Sequence, residues 1–123
     1  MPASERPAFY PPQSEPEPLR GGRPVDLAQL ARQTGGDRGL EEEVLRLFLR
    51  QSAAIARTVR GQADAESRRR NAHTLKGAAR AVGARKVAER ASALEHAPHE
   101  TRALRALLRE IDRTCDYINS LLR

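Results

Sequence analysis

The sequence is expected to fold as an all-α protein: an up-and-down antiparallel four-helix bundle with a short N-terminal helix packed across one end. Three observations lead there. The chain is rich in arginine, glutamate, leucine and alanine, while aromatics make up only 3% and tryptophan is absent, a composition that favours helix over sheet. Apolar residues recur at alternating spacings of three and four in each long segment. The breaks between segments are short and carry glycine or proline, which makes successive helices antiparallel neighbours. A length of 123 residues is about one domain.

Residues 1–24 hold seven of the eight prolines, lack periodicity and close on Gly21-Gly22. They read as a disordered or extended tail, and residues 25–123 as the helical domain. Asp26 is a candidate N-cap for a short helix through Gln33, with Val25, Leu27 and Leu30 inward. Gly35-Gly36-Asp37 breaks the chain. The second helix is expected from about Asp37 or Gly39 to Val59, ended by Gly61. Its stripe is Val44, Phe48, Ile55 and Val59, broadened by Leu45, Leu47 and Leu49, with Glu41, Glu42 and Glu43 at the positive end of its dipole. Asp64 caps a third helix to about Val82, with Ala65, the stem of Arg68, Ala72, Leu75, Ala79 and Val82 inward, and Gly83 at its C-terminus. A fourth helix spans about Ala84 to Glu95, buries Val87, Ala91 and Leu94, and stops before Pro98. The last runs from about Glu100 to Leu122 on Leu104, Leu107, Leu108, Ile111, Cys115, Ile118 and Leu122.

Composition also narrows the function classes. No apolar run approaches the roughly 20 residues of a membrane span, and the first residues lack a signal-peptide apolar core. One cysteine, Cys115, cannot form an intramolecular disulfide and reads as core. These features suit a cytoplasmic protein. The formal net charge is +6, and most of it is local. From Asp64 to Lys86, seven cations face Asp64 and Glu66 alone. Such a patch attracts an acidic partner or a polyanion.

At the centre of that patch lies Asn71-Ala72-His73-Thr74-Leu75-Lys76-Gly77-Ala78-Ala79. Lys76 and Gly77 follow His73 by three and four residues, so a titratable ring, a cation and a missing side chain share one helical face. Gly77 costs about 1 kcal/mol against alanine inside a helix, which asks for another reason to be there. His73 lies about ten residues before the turn at Gly83, roughly 15 Å down the helix at 1.5 Å per residue. The returning helix reaches the same level near Glu95, which is placed either to orient the ring or simply to cap its own helix. On the residues alone, a surface histidine beside a helix-packing glycine remains an alternative. His96 and His99 lack a clear third ligand, so no metal site is expected.

The same residues carry a resemblance. Ala72-His73-Thr74-Leu75-Lys76-Gly77-Ala78-Ala79, Val82-Gly83-Ala84, Val87-Ala88 and Leu94-Glu95 resemble the histidine-containing phosphotransfer (HPt) domain family. The resemblance spans about residues 25–122. It implies a helical bundle with an exposed histidine and a phosphorelay intermediate of two-component signalling. His73 is then the phospho-acceptor, taking a phosphoryl group from a receiver-domain aspartyl phosphate and passing it to another receiver. Lys76 would neutralise phosphoryl oxygens, Gly77 would give the receiver access, and Glu95 would stand near the ring. Arg69, Arg70, Arg80 and Ala72 are expected to meet the partner, a response-regulator receiver or a hybrid sensor kinase. The protein would need no cofactor of its own, with magnesium carried by the receiver. The absence of a Gly-rich phosphate loop argues against ATP-dependent autophosphorylation, so the chain reads as a phosphoryl carrier. The rival readings are a basic helical nucleic-acid-binding protein and a receiver-binding adaptor that takes no phosphate. A monomer is expected, with Leu107, Leu108 and Leu122 the residues that would cover a partner subunit.

Overall fold

In the computed structural model, residues 22–61 and 64–123 are described. The reading of residues 1–24 as a tail, with Phe9 and Tyr10 in it, falls almost wholly outside them. Five helices follow in order: α1 Leu27–Thr34, α2 Arg38–Gly61, α3 Ala65–Val82, α4 Arg85–His96 and α5 Thr101–Leu122. The last four form the bundle. Each packs on its two neighbours, α3 on α2 and α4, and α5 on α4 and α2, so that they close a ring.

Local chemistry sets the ends. Asp26 Oδ1 accepts from the Gln29 amide at 3.1 Å, and Gly35 at φ 65° closes α1. Asp37 Oδ1 accepts from the Leu40 amide at 3.1 Å and starts α2. Asp64 caps α3 through the Glu66 amide at 3.1 Å. These satisfy amides that helix geometry leaves without partners. The helix α2 runs through Gly61 rather than stopping at Val59.

The core is aliphatic. Leu75, Leu94, Leu107 and Ile118 are fully buried, and each such side chain contributes about 1.5–3 kcal/mol. Half of the eight residues that α3 and α4 bury are small: Ala72, Ala79, Ala88 and Ala91. That stripe lets the two helices approach closely. Arg68 is half-buried and ties three elements, its Nε donating to Val59 O at 3.3 Å and its Nη1 to Pro98 O at 3.4 Å.

Three expectations need correction. Leu47 does not broaden the inward stripe of α2; it is 49% exposed, because it lies about 100° around the helix from Phe48. Its place in the core goes to Ser52 and Ala56. Leu107 is fully buried within its own bundle, so it cannot cover a second subunit; Leu108 and Leu122 also pack against the core. Ala72, expected to meet a partner, is fully buried between the helices.

The short α1 is anchored at the end of the bundle where α3 turns into α4. The Asp26 amide donates to Gly83 O at 2.9 Å, and Gln29 Nε2 donates to Arg80 O at 2.8 Å. Gly83 has φ 79°, and a Cβ there would meet Asp26 O at 3.0 Å and Asp26 Cβ at 3.2 Å. Only glycine suits both the left-handed turn and the close approach. Gly83→Ala is therefore expected to destabilise the fold by about 1–2 kcal/mol in denaturant unfolding. A loss under about 0.5 kcal/mol would show that α1 does not constrain this turn.

Candidate functional site

His73, Lys76 and Gly77 lie on one face of α3, turned toward α4. Glu95 comes from the last turn of α4, next to the fully buried Leu94. The carboxylate bridges two groups of the facing helix. Glu95 Oε2 is 2.8 Å from His73 Nδ1, and Glu95 Oε1 is 2.6 Å from Lys76 Nζ. The side chains of Glu95 and Lys76 are only 16% and 15% exposed, whereas that of His73 is 67% exposed. The ring therefore stands in solvent on a largely buried ion pair.

The Oε1 contact is short, but Oε1 is buried and makes no well-directed hydrogen bond. Its attraction to the ammonium is one of charge. The Lys76 ammonium is the main reason that Glu95 is held below the usual carboxylate value of 4.5; burial opposes the shift and His73 adds to it. Glu95 is thus ionised near neutral pH and can only accept. It follows that Nδ1 of a neutral His73 carries the proton and Nε2 the lone pair. Nε2 makes no hydrogen bond among the described residues.

Gly77 is exposed, and a Cβ built on it would meet nothing within 4 Å. Packing does not require the glycine, so its cost to the helix is offset by no close approach inside the protein. The open space lies one turn from His73, on the same face.

The cations divide into two kinds. Arg69 pairs with Glu66 through both Nε, at 3.1 Å, and Nη2, and Arg70 lies 3.6 Å from the same carboxylate. Arg69 is in consequence held above the usual guanidinium value by Glu66, and Glu66 below the usual carboxylate value by Arg69. Arg80 has no acidic partner among the described residues and borders a groove with Gln29, Gly83, Arg85, Ala88, Glu89 and Ser92. The Lys76–Glu95 pair and this groove are features that sequence reasoning did not find. The i, i+3 spacing of His73 and Lys76, set against a glutamate at the same level, was the available signal for the pair.

Elsewhere the chemistry is sparse. Cys115 Sγ is 3.4 Å from Ser52 Oγ, and burial pushes its thiol above the usual value, which keeps it protonated. His96 Nδ1 donates to Ser92 O at 2.7 Å. No cluster of three metal-ligating side chains occurs among the described residues, and no helix among them is long and apolar enough to cross a membrane.

Because Glu95 has a depressed pKa in the folded state, its contribution to stability is fully present above the ordinary carboxylate value and is lost as pH falls through the depressed one. Denaturant unfolding of Glu95→Gln and the native chain between about pH 3 and 7 should show a stability difference that shrinks toward acid. A difference independent of pH would mean that the carboxylate charge is not what holds Lys76 and His73.

Comparison with known proteins agrees with the geometry. The model of the Hpt domain family matches residues 43–121, from the first half of α2 to the end of α5. No curated protein and no solved structure matches the chain. The match covers well over half of the chain and includes His73, its helix and the whole facing hairpin, so the chain belongs to the Hpt domain family.

Proposed function

We propose that the protein is a phosphorelay intermediate that accepts a phosphoryl group on His73 from a receiver-domain aspartyl phosphate and delivers it to a second receiver. Hpt domains act in phosphotransfer within two-component signalling; the direction of flow and the two receivers are the added reading. The observation that carries it is the hold of Glu95 on Nδ1 at 2.8 Å, which leaves Nε2 of an exposed ring as the free nucleophile.

In this reading Nε2 attacks phosphorus in line. The N–P bond forms as the bond from phosphorus to the aspartyl oxygen breaks, and the receiver carboxylate leaves with the electron pair. Nδ1 keeps its proton throughout, so the ring becomes cationic, and Glu95 balances that charge. Phosphoryl transfer depends mainly on positioning and charge stabilisation, so few groups suffice. Lys76 acts on Glu95, preventing an uncompensated carboxylate near the incoming phosphoryl group. The chain supplies no cofactor; magnesium belongs to the receiver. Onward transfer is the same step reversed on a new aspartate. The carrier works from solution, where its basic face speeds encounter with an acidic receiver surface.

The decisive experiment is incubation with phosphorylated receivers from the same genome, scored as acid-labile phosphate on the chain. His73→Gln should abolish labelling with helix content unchanged. Labelling that persists on that variant would place the acceptor elsewhere.

Gly77 gives a test with opposed signs. Gly77→Gln fits the open space and should stabilise the helix by up to about 1 kcal/mol, yet slow transfer from the receiver by at least about tenfold, as a misplaced reacting pair requires. Normal transfer with raised stability would remove access as the reason for the glycine.

A further inference from the structure

The groove bordered by Arg80 and Arg85 is a feature that the transfer chemistry does not use. It has a volume of about 460 Å³ and lies where α1, the end of α3 and the start of α4 meet, with Gln29, Gly83, Ala88, Glu89 and Ser92 as its other walls. Arg80 is seven residues beyond His73 on α3, about 10 Å along the helix. A standard protein interface buries about 800 Å² on each partner, a patch roughly 30 Å across. A patch of that size centred on His73 reaches this groove as well.

Its chemistry is specific in three ways. Arg80 and Arg85 have no acidic partner among the described residues, unlike Arg69 and Arg70, which are taken by Glu66. Glu89 is the one acid lining the groove, so a positive charge remains there. The helix α4 starts without a side-chain cap, and its first turn carries Arg85 and Lys86 with no acidic residue. Cations at a helix N-terminus oppose the macrodipole, and here they stand beside amides that no side chain satisfies. The floor is made by Gly83 and Ala88, small enough to admit a side chain from outside. Gln29 is not free to move aside, because its amide is held on Arg80 O at 2.8 Å.

We propose that this groove is a second docking point for the receiver, in which Arg80 and Arg85 take a carboxylate side chain from the receiver surface while its aspartyl phosphate meets His73. The proposal rests on the phosphotransfer reading. It makes α1 a wall of the docking site and not only a cover for the bundle, and it makes Arg80 and Arg85 determinants of which receiver is accepted. Charge at an interface rim acts chiefly on encounter and specificity. The groove therefore governs how much receiver is needed, and His73, Glu95 and Lys76 govern how fast bound receiver reacts.

The experiment measures initial transfer rate against concentration of a phosphorylated receiver for the native chain, for Arg80→Glu/Arg85→Glu, and for Arg102→Glu/Arg105→Glu. The last pair is exposed on α5, which does not pack on α3, and changes the net charge by the same amount. The groove variant should raise the apparent KM by about tenfold or more at low salt with little change in kcat, and the difference should shrink as salt is added. The α5 variant should leave KM near the native value. An unchanged KM in the groove variant, or an equal rise in both variants, overturns the proposal and leaves the phosphotransfer reading intact. A native chain that takes no phosphate from any receiver overturns that reading itself, which separates the two failures.

Discussion

The arrangement around His73 depends on one carboxylate that has been taken largely out of water. A buried anion without a partner is strongly unfavourable, and Glu95 avoids that state by meeting two groups at once, Lys76 Nζ at 2.6 Å and His73 Nδ1 at 2.8 Å. A single carboxylate can span both because they are three residues apart and share a helical face. It reaches them because α3 and α4 pack closely, and half of the residues those helices bury are alanines: Ala72, Ala79, Ala88 and Ala91. Larger side chains there would separate the helices and leave Glu95 short of its partners. Core composition and site chemistry are in this sense one constraint. Ala72 illustrates it: the residue beside His73 serves the site from inside the bundle, by what it lacks.

The far end of the hairpin follows similar logic. Gly83 allows a left-handed turn in contact with Asp26, and the Asp26 amide caps the turn by donating to Gly83 O. Gln29 then fixes α1 to the last turn of α3. One short helix, with a single buried leucine in it, is thereby held by one backbone and one side-chain hydrogen bond to the C-terminal end of α3, the helix that carries His73. The site and α1 share a rigid support.

Much of this was legible in the sequence, and for definite reasons. Aliphatic periodicity located all five helices, because amphipathic stripes of this length have few other readings, and Asp26, Asp64 and Gly83 marked ends through chemistry that is local to the chain. Counting residues either side of the Gly83 turn put Glu95 level with His73, since an antiparallel hairpin with a tight turn fixes that correspondence. What stayed hidden depends on packing direction. Leu47 and Leu45 are equally apolar, yet two residues turn a helix by about 200°, so one is inside and the other outside. Ser52 and Thr114 are fully buried, and a reading that follows apolar residues passes over them. The Lys76 ammonium was expected to neutralise phosphoryl oxygens. Its burial against Glu95 required the helix separation, which no local pattern encodes.

That pairing also answers an objection to a carboxylate at a phosphoryl-accepting site. An anion beside a phosphorylated ring would repel a group that itself carries nearly two negative charges. Glu95, however, touches the Nδ1 edge, and the phosphoryl group would sit beyond Nε2 with the cationic ring between them. Lys76 then offsets the carboxylate charge, so an incoming group would meet a neutral pair and a neutral ring that turns positive only as the N–P bond forms. Where a neutral amide could only hold the ring in place, the glutamate also favours the protonated ring that phosphorylation creates. The lysine is what makes that choice compatible with an anionic partner. In the proposed phosphotransfer, Lys76, a residue only 15% exposed, would therefore act mainly through the carboxylate beneath the histidine.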